Sequence, residues 1–142
     1  MAGRIDRIAE ICSAHAGREG PLLPILHDIQ GEFGFIDADA ETAIAAALNL
    51  TRAEVHGVVS FYHDFSEAPD PRPQVQICRA EACKARGVES LIGAAVAAAG
   101  DRVALKTVYC LGLCSAGPAA RVEDKLHARL DAESLRKVIE EA

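Results

Sequence analysis

The chain has no tryptophan, one methionine and few aromatic residues, although half of its 142 residues are apolar. Alanine and aliphatic side chains must therefore fill most of the core. The sequence also lacks an apolar run long enough to cross a bilayer, and its first residues are charged where a secretory signal is hydrophobic. These absences predict a globular, cytoplasmic protein without direct membrane insertion.

Clusters of basic residues are missing as well. The 15 Lys and Arg residues are scattered among 21 Asp and Glu residues, which gives a formal net charge of −6. A nucleic-acid-binding surface needs clustered Lys and Arg to neutralise phosphates. The charge pattern therefore argues against nucleic acid as a partner.

Motifs for nucleotide binding and catalysis are also absent. The sequence contains neither a Gly-x-Gly-x-x-Gly fingerprint nor a P-loop. It offers no pairing of a nucleophile with a base that would form a catalytic constellation. We therefore expect no catalytic residues in this chain, and any nucleotide cofactor should bind to a partner chain.

The first half of the chain shows helical periodicity and predicts an N-terminal helical bundle over residues 1–67. Cys12 falls on the apolar side of the first helix, where a lone cysteine usually packs as a small core residue. Asp39 is expected to cap the third helix, and Thr51 to Glu54 has the form of a capping box for the fourth. The predicted helices run from Ile5 to about Ala16, from about Pro21 to Phe33, from Ala40 to Leu48, and from Thr51 onward.

An aromatic cluster, Ser60-Phe61-Tyr62-His63-Asp64-Phe65, follows the bundle. Two interpretations stay open, because large aromatic side chains serve both cores and interfaces: a hydrophobic plug or a surface for docking a partner. The next residues, 68–73, contain three prolines and are predicted to be a semi-rigid linker.

Residues 74–142 are predicted to form a thioredoxin-like β-α-β-β-β-α domain, so the fold class is α/β (α+β). A strand, a helix and a second strand form a βαβ unit, whose strands are parallel and whose crossover is right-handed. A hairpin and a last helix complete the order. The elements are a strand at Gln74 to Cys78, a helix at about Cys83 to Ala99, a strand at Val103 to Tyr109, a hairpin around Glu123-Asp124, and a helix at Ala132 to about Glu141.

Each strand of the predicted βαβ unit leads into a loop with two cysteines. Cys78 and Cys83 follow the first strand, and Cys110 and Cys114 follow the second. Because parallel strands end at the same edge of a sheet, the four thiols should converge where open α/β sheets bind ligands. The odd number of cysteines and the lack of a secretory signal argue against a disulfide framework.

Three kinds of chemistry are open to these thiols. Structural zinc sites commonly use Cys-x2-Cys knuckles, whereas this chain has Cys-x4-Cys and Cys-x3-Cys. The wider spacings favour a [2Fe-2S] cluster with four thiolate ligands. Thiol-disulfide exchange in a thioredoxin-like frame would need a Cys-x-x-Cys motif, which is absent. Gly112 and Gly117 should let the backbone approach the site and direct N–H groups toward sulfur.

Cys78-x4-Cys83 and the segment Cys110-Leu111-Gly112-Leu113-Cys114-Ser115-Ala116-Gly117-Pro118 resemble the thioredoxin-like [2Fe-2S] subunit family. This family includes the small iron–sulfur subunit of respiratory complex I and its relatives in soluble NAD-linked formate dehydrogenases and hydrogenases. The resemblance covers nearly the whole chain, since Gly31-x-x-Gly34-Phe35-Ile36 and the segment from Val55 to Tyr62 are similar to the family's bundle. It implies one [2Fe-2S] cluster, with Cys78 and Cys83 on one iron and Cys110 and Cys114 on the other.

Within the family the chain looks most like the gamma subunit of a cytoplasmic, molybdenum- or tungsten-dependent formate dehydrogenase. This implies a non-catalytic electron-transfer subunit that docks beside a flavin- and NAD-binding subunit and serves, indirectly, a molybdenum- or tungsten-containing catalytic subunit. The alternatives are the corresponding subunit of complex I or of an NAD-linked hydrogenase, a zinc-stabilised interaction module, and a free-standing ferredoxin. The long helical extension argues against a free-standing carrier.

Overall fold

A computed structural model describes residues 3–142 of the chain. The chain divides into two units between Asp70 and Pro71, and each unit has a hydrophobic core of its own. Within residues 3–142, no helix combines the length and the apolar character that a membrane span requires.

The first unit consists of four helices, as the periodicity predicts. Thr51 forms the expected capping box: its hydroxyl accepts from the Glu54 N–H at 3.1 Å and its own N–H donates to the Glu54 carboxylate at 2.7 Å. The predicted cap of the third helix is wrong, because Asp37 rather than Asp39 accepts from the Ala40 N–H. The helices are α1 (Arg4–Ala14), α2 (Leu22–Phe33), α3 (Ala38–Leu48) and α4 (Arg52–Phe61).

Aliphatic side chains dominate the core of this bundle, and the predicted packing position of Cys12 is confirmed, since Cys12 is only 5% exposed. Each of the two interpretations of the aromatic cluster holds for some of its residues. Phe65 belongs to the core, whereas Phe61 is 75% exposed and Tyr62 is 42% exposed. Part of the cluster is therefore a plug, and part is available at the surface of this unit.

One charged side chain, Glu41, is buried in the bundle, and basic groups satisfy both of its carboxylate oxygens. Arg52 Nε donates to Oε2 at 3.1 Å, and His56 Nδ1 lies 2.8 Å from Oε1. Glu67 lies 3.5 Å from the same histidine nitrogen. A buried carboxylate is tolerated when it is paired and hydrogen-bonded in this way, so this group ties α3 to α4 by charge compensation.

The second unit confirms the predicted thioredoxin-like α/β order. Its four-stranded sheet has the order β2-β1-β3-β4; β1 and β2 are parallel, and the other neighbours are antiparallel. The elements are β1 (Gln74–Cys78), α5 (Glu81–Ala85), α6 (Ile92–Ala99), β2 (Ala104–Val108), β3 (Ala120–Val122), β4 (Lys125–His127) and α7 (Ala132–Glu141).

The single crossover helix expected from Cys83 to Ala99 is wrong. The helix begins at Glu81, ends at Ala85, and is followed by a 3₁₀ turn, Val88–Leu91, before α6 starts. Gly87 separates the pieces with a φ of 93°, a left-handed conformation that glycine adopts at little cost. Apolar residues keep a helical period on both sides of this break, so periodicity alone did not reveal it.

Candidate metal centre

Parallel pairing brings the two cysteine loops to one edge of the sheet. Cys78, the last residue of β1, pairs with Val108, the last residue of β2, and the Arg79 N–H donates to the Val108 carbonyl at 2.9 Å. The two strands therefore end side by side, and both loops leave at their carboxyl ends. This confirms the predicted convergence of the loops.

The four thiols form two close pairs within this edge. The sulfurs of Cys110 and Cys114 are 3.6 Å apart. The Cys78 and Cys83 thiols interact closely enough to shift each other's pKa, and Cys83 also interacts electrostatically with Cys114. All four sequence-predicted residues thus face one site, while Cys12 lies in the core of the other unit.

The distances between the sulfurs distinguish a site for a single metal ion from a site for a two-iron cluster. Four thiolates around a tetrahedral zinc ion, with Zn–S bonds of about 2.3 Å, would all lie about 3.8 Å from one another. Within residues 3–142, only Glu41, His56 and Glu67 place three ligand atoms within 4.8 Å of one another, so no three cysteine sulfurs meet that distance. Two close pairs set further apart fit a two-iron cluster better than one zinc ion.

The two pairs differ in exposure. Cys78 and Cys83 are buried, at 3% and 2% exposure, whereas Cys110 and Cys114 are exposed. Cys110 has a φ of 112°, which is unusual for a residue with a side chain, and the Gly112 N–H donates to its sulfur at 3.3 Å. The expected role of Gly112 as an N–H donor toward sulfur is confirmed.

Residues after β4 form backbone hydrogen bonds to the second cysteine loop. The Arg129 N–H donates to the Ala116 carbonyl at 2.7 Å, and the Leu130 N–H donates to the Pro118 carbonyl at 3.0 Å. These two bonds fix the segment that follows Cys114. The loop is therefore held by backbone hydrogen bonds of the protein itself.

Neighbouring thiols change one another's pKa. Burial opposes ionisation of Cys78, but N–H groups from Ala80 and from the Cys110 loop, together with the Cys83 thiol, outweigh it and lower the pKa of Cys78. Burial and the neighbouring Cys78 raise the pKa of Cys83. The adjacent Cys110 raises the pKa of Cys114. Four thiolates at this site would repel one another, so they require a cationic group between them.

Two further residues shape the site. A Cβ atom on Gly117 would lie 2.9 Å from the Cys83 sulfur, which confirms the expected close approach of the backbone there. Arg86 was missed from the sequence: its Nε donates to the Cys114 carbonyl at 3.2 Å and so links the two loops. No motif marks Arg86, because its partner is a backbone atom 28 residues away.

Similar proteins come from NAD(P)-linked enzymes. Subunit HndA of the NADP-reducing hydrogenase of Solidesulfovibrio fructosivorans is 27% identical, over 87% of this chain and 78% of that protein. NADH-quinone oxidoreductase subunit 2 of Thermus thermophilus is 30% identical, over 77% of this chain and 65% of its own length. Neither is a formate dehydrogenase subunit, so the formate dehydrogenase assignment is not confirmed by them.

A solved structure supports the same relationship. A chain of an NAD+-reducing [NiFe]-hydrogenase in the air-oxidized state matches with a TM-score of 0.69 and 29% identity. The match covers 84% of this chain but only 22% of the hydrogenase chain. The family model for the thioredoxin-like [2Fe-2S] ferredoxin matches residues 8–142. The protein therefore belongs to the thioredoxin-like [2Fe-2S] ferredoxin family, whose members carry one [2Fe-2S] cluster.

Proposed function

We propose that four cysteines hold the [2Fe-2S] cluster, with Cys78 and Cys83 on one iron and Cys110 and Cys114 on the other. The observation that carries this proposal is the arrangement of the sulfurs in two close pairs at one sheet edge, too widely spread for one tetrahedral ion. When bound, the cluster supplies one-electron redox chemistry.

The chain would then act as an electron-transfer subunit of a multisubunit, NAD-linked dehydrogenase in the cytoplasm. The named relatives belong to NAD(P)-linked hydrogenase and quinone-reducing complexes, which supports this proposal. The sequence has no nucleotide-binding motif, which supports the proposal that flavin and NAD bind to a partner subunit. The solved hydrogenase chain, of which this protein covers 22%, leaves ample length for other domains beside such a module.

The exposure of the thiols favours one side for electron exchange. Cys110 and Cys114 reach the surface beside Tyr109, which is 68% exposed, whereas Cys78 and Cys83 are enclosed. A redox partner would approach the Cys110 side most closely, and exposed aromatic residues are common at interfaces. We therefore place the partner's electron donor or acceptor on this side.

The cofactor assignment is tested on the full chain prepared anaerobically. Iron, acid-labile sulfide and zinc are quantified, and EPR spectra are recorded before and after dithionite. We expect about two irons and two sulfides per chain and a signal that appears only after reduction. One zinc, no sulfide and no signal would make this a structural cysteine site and overturn the proposed function.

The choice of complex needs a separate experiment. The tagged chain is isolated with its native partners, and the complex is supplied with formate, hydrogen or NADH while flavin and cluster reduction are followed. A formate dehydrogenase subunit predicts formate-dependent reduction and molybdenum or tungsten in the complex. Reduction by hydrogen alone would indicate a hydrogenase, and reduction by NADH with quinone as acceptor would indicate a complex I-type enzyme. Flavin reduction that is unchanged without this chain would contradict the docking proposal.

A further inference from the structure

Arg86 connects the two cysteine loops. It follows α5, the short helix that contains Cys83, and its Nε donates to the carbonyl of Cys114 at 3.2 Å. Its Cδ would lie 3.3 Å from a Cβ on Gly117, the same point that is 2.9 Å from the Cys83 sulfur. The arginine side chain therefore runs along the wall of the thiol site, and its guanidinium group lies at the second loop.

The charge of Arg86 is not neutralised by a carboxylate, unlike other basic side chains near the first loop. Arg79 makes two bonds to Glu89, at 2.9 and 2.6 Å, and Lys84 lies 3.9 Å from Glu81. For Arg86, no carboxylate among residues 3–142 lies within ion-pair distance, and its hydrogen-bond partner is the Cys114 carbonyl. A positive charge at the thiol site is thus left uncompensated within the described chain.

We propose that Arg86 is a positioning residue for the Cys114 loop and that its charge raises the reduction potential of the centre. This inference rests on the proposed function, because it takes the four cysteines as cluster ligands. Reduction adds one electron, and so one negative charge, to a group that already carries four thiolates. A fixed cation beside it stabilises the reduced form more than the oxidised form, and local charge is one determinant of iron–sulfur potentials.

Two variants distinguish the positioning role of Arg86 from its charge role. Arg86→Lys keeps the charge but loses the Nε donor, whereas Arg86→Gln loses the charge. Arg136→Gln is the matched control, since this arginine lies on α7 and its carboxylate partner is Glu140. Arg86→Met, with an unbranched and uncharged side chain, gives a second measurement of the charge effect if the glutamine variant folds poorly.

The readouts are the midpoint potential, from anaerobic titration with dithionite followed by EPR, and the rate of iron release to a chelator. For Arg86→Gln and Arg86→Met we expect a more negative midpoint potential. The equilibrium constant for reduction should fall at least threefold. This equals about 28 mV at 59 mV per tenfold change for one electron. The shift should shrink at high salt, because charge interactions near the surface are screened. Arg86→Lys should keep a near-native potential but release iron several-fold faster, and Arg136→Gln should change neither readout.

The outcomes distinguish this inference from the function on which it rests. A wild-type chain without iron and sulfide would overturn both. An iron-loaded wild type whose potential is unchanged in Arg86→Gln and Arg86→Met would overturn the charge role alone. Iron release from Arg86→Lys at the wild-type rate would overturn the positioning role.

Discussion

The position of a Cβ atom on Gly117 would be 2.9 Å from the sulfur of Cys83, and 3.6 Å from the Cys83 Cα. The segment after Cys114 therefore passes against the first cysteine loop with room for a hydrogen atom only. The φ of Gly117 is −73°, which any residue can adopt. Space, rather than backbone conformation, requires glycine at this position.

Replacing Gly117 by alanine should therefore disturb the centre. The added methyl group must push the Cys83 sulfur or the second loop aside, and overpacking of this kind costs about 1–3 kcal/mol. We expect the iron and sulfide content per chain to fall several-fold. Gly93→Ala is the control, because nothing lies within 4 Å of a Cβ at Gly93 in α6; its cofactor content should equal that of the wild type. Full cofactor content in Gly117→Ala would show that the two loops can separate without cost.

Serine substitutions should separate the ligands from the remaining cysteine. A serine at position 78, 83, 110 or 114 removes a thiolate, so each variant should lose most of its cluster or hold it with altered EPR g-values. Cys12→Ser should retain about two irons, because Cys12 is buried in the bundle core. Its cost should be about 1–3 kcal/mol of unfolding free energy, from burying a hydroxyl in an apolar site. Loss of iron from Cys12→Ser in a folded chain would mean that the ligand set is misassigned.

The His56–Glu41 pair predicts a pH dependence of bundle stability. The hydrogen bond to Glu41, its charge and that of Glu67 raise the pKa of His56, although Arg52 opposes them. Because the folded pKa lies above the unfolded value of about 6.5, the stabilisation is fully present below that pH. It is lost as the pH rises through the folded value.

Urea unfolding of the wild type and of His56→Gln tests this prediction at about pH 6 and about pH 8.5. The stability difference between the two proteins should be larger at the lower pH. His63→Gln is the control substitution, because it removes an exposed histidine of the same unit and leaves the His56–Glu41 pair in place. A difference that is constant across the range would mean that His56 does not gain charge on folding.

Asp37 should contribute more to stability than Asp39, two residues along the chain. Asp37 accepts from the Ala40 N–H at 3.0 Å and from Arg4 Nη1 at 2.9 Å, and Arg4 stacks on the Phe35 ring. Asp37→Ala removes a helix cap, which costs about 1–2 kcal/mol, while Asp37→Asn should cost less because asparagine also caps. Asp39→Ala, in the first turn of α3, is the control. Equal urea unfolding midpoints for Asp37→Ala and Asp39→Ala would contradict the assignment of Asp37 as the cap of α3.

Local sequence predicted most elements of the fold. The capping box at Thr51, the helical period of the bundle and the short strands each depend on a few neighbouring residues, and the structure confirms them. The two wrong predictions have different causes. Asp37 replaced Asp39 as a cap because Arg4, 33 residues earlier, also binds it. Gly87 broke the crossover helix, although the apolar period continued past it.

The sequence by itself determined the chemistry of the site: four thiols in two loops that follow two strands, with spacings that favour an iron–sulfur cluster over a zinc knuckle. These features are read from residue types and their separation along the chain. Only the tertiary structure decided which thiols are enclosed and which are exposed, that Gly117 meets Cys83, and that Arg86 spans the loops. Such relationships depend on how parallel strands align and how loops pack across them, so residues distant in sequence become neighbours without any local signal.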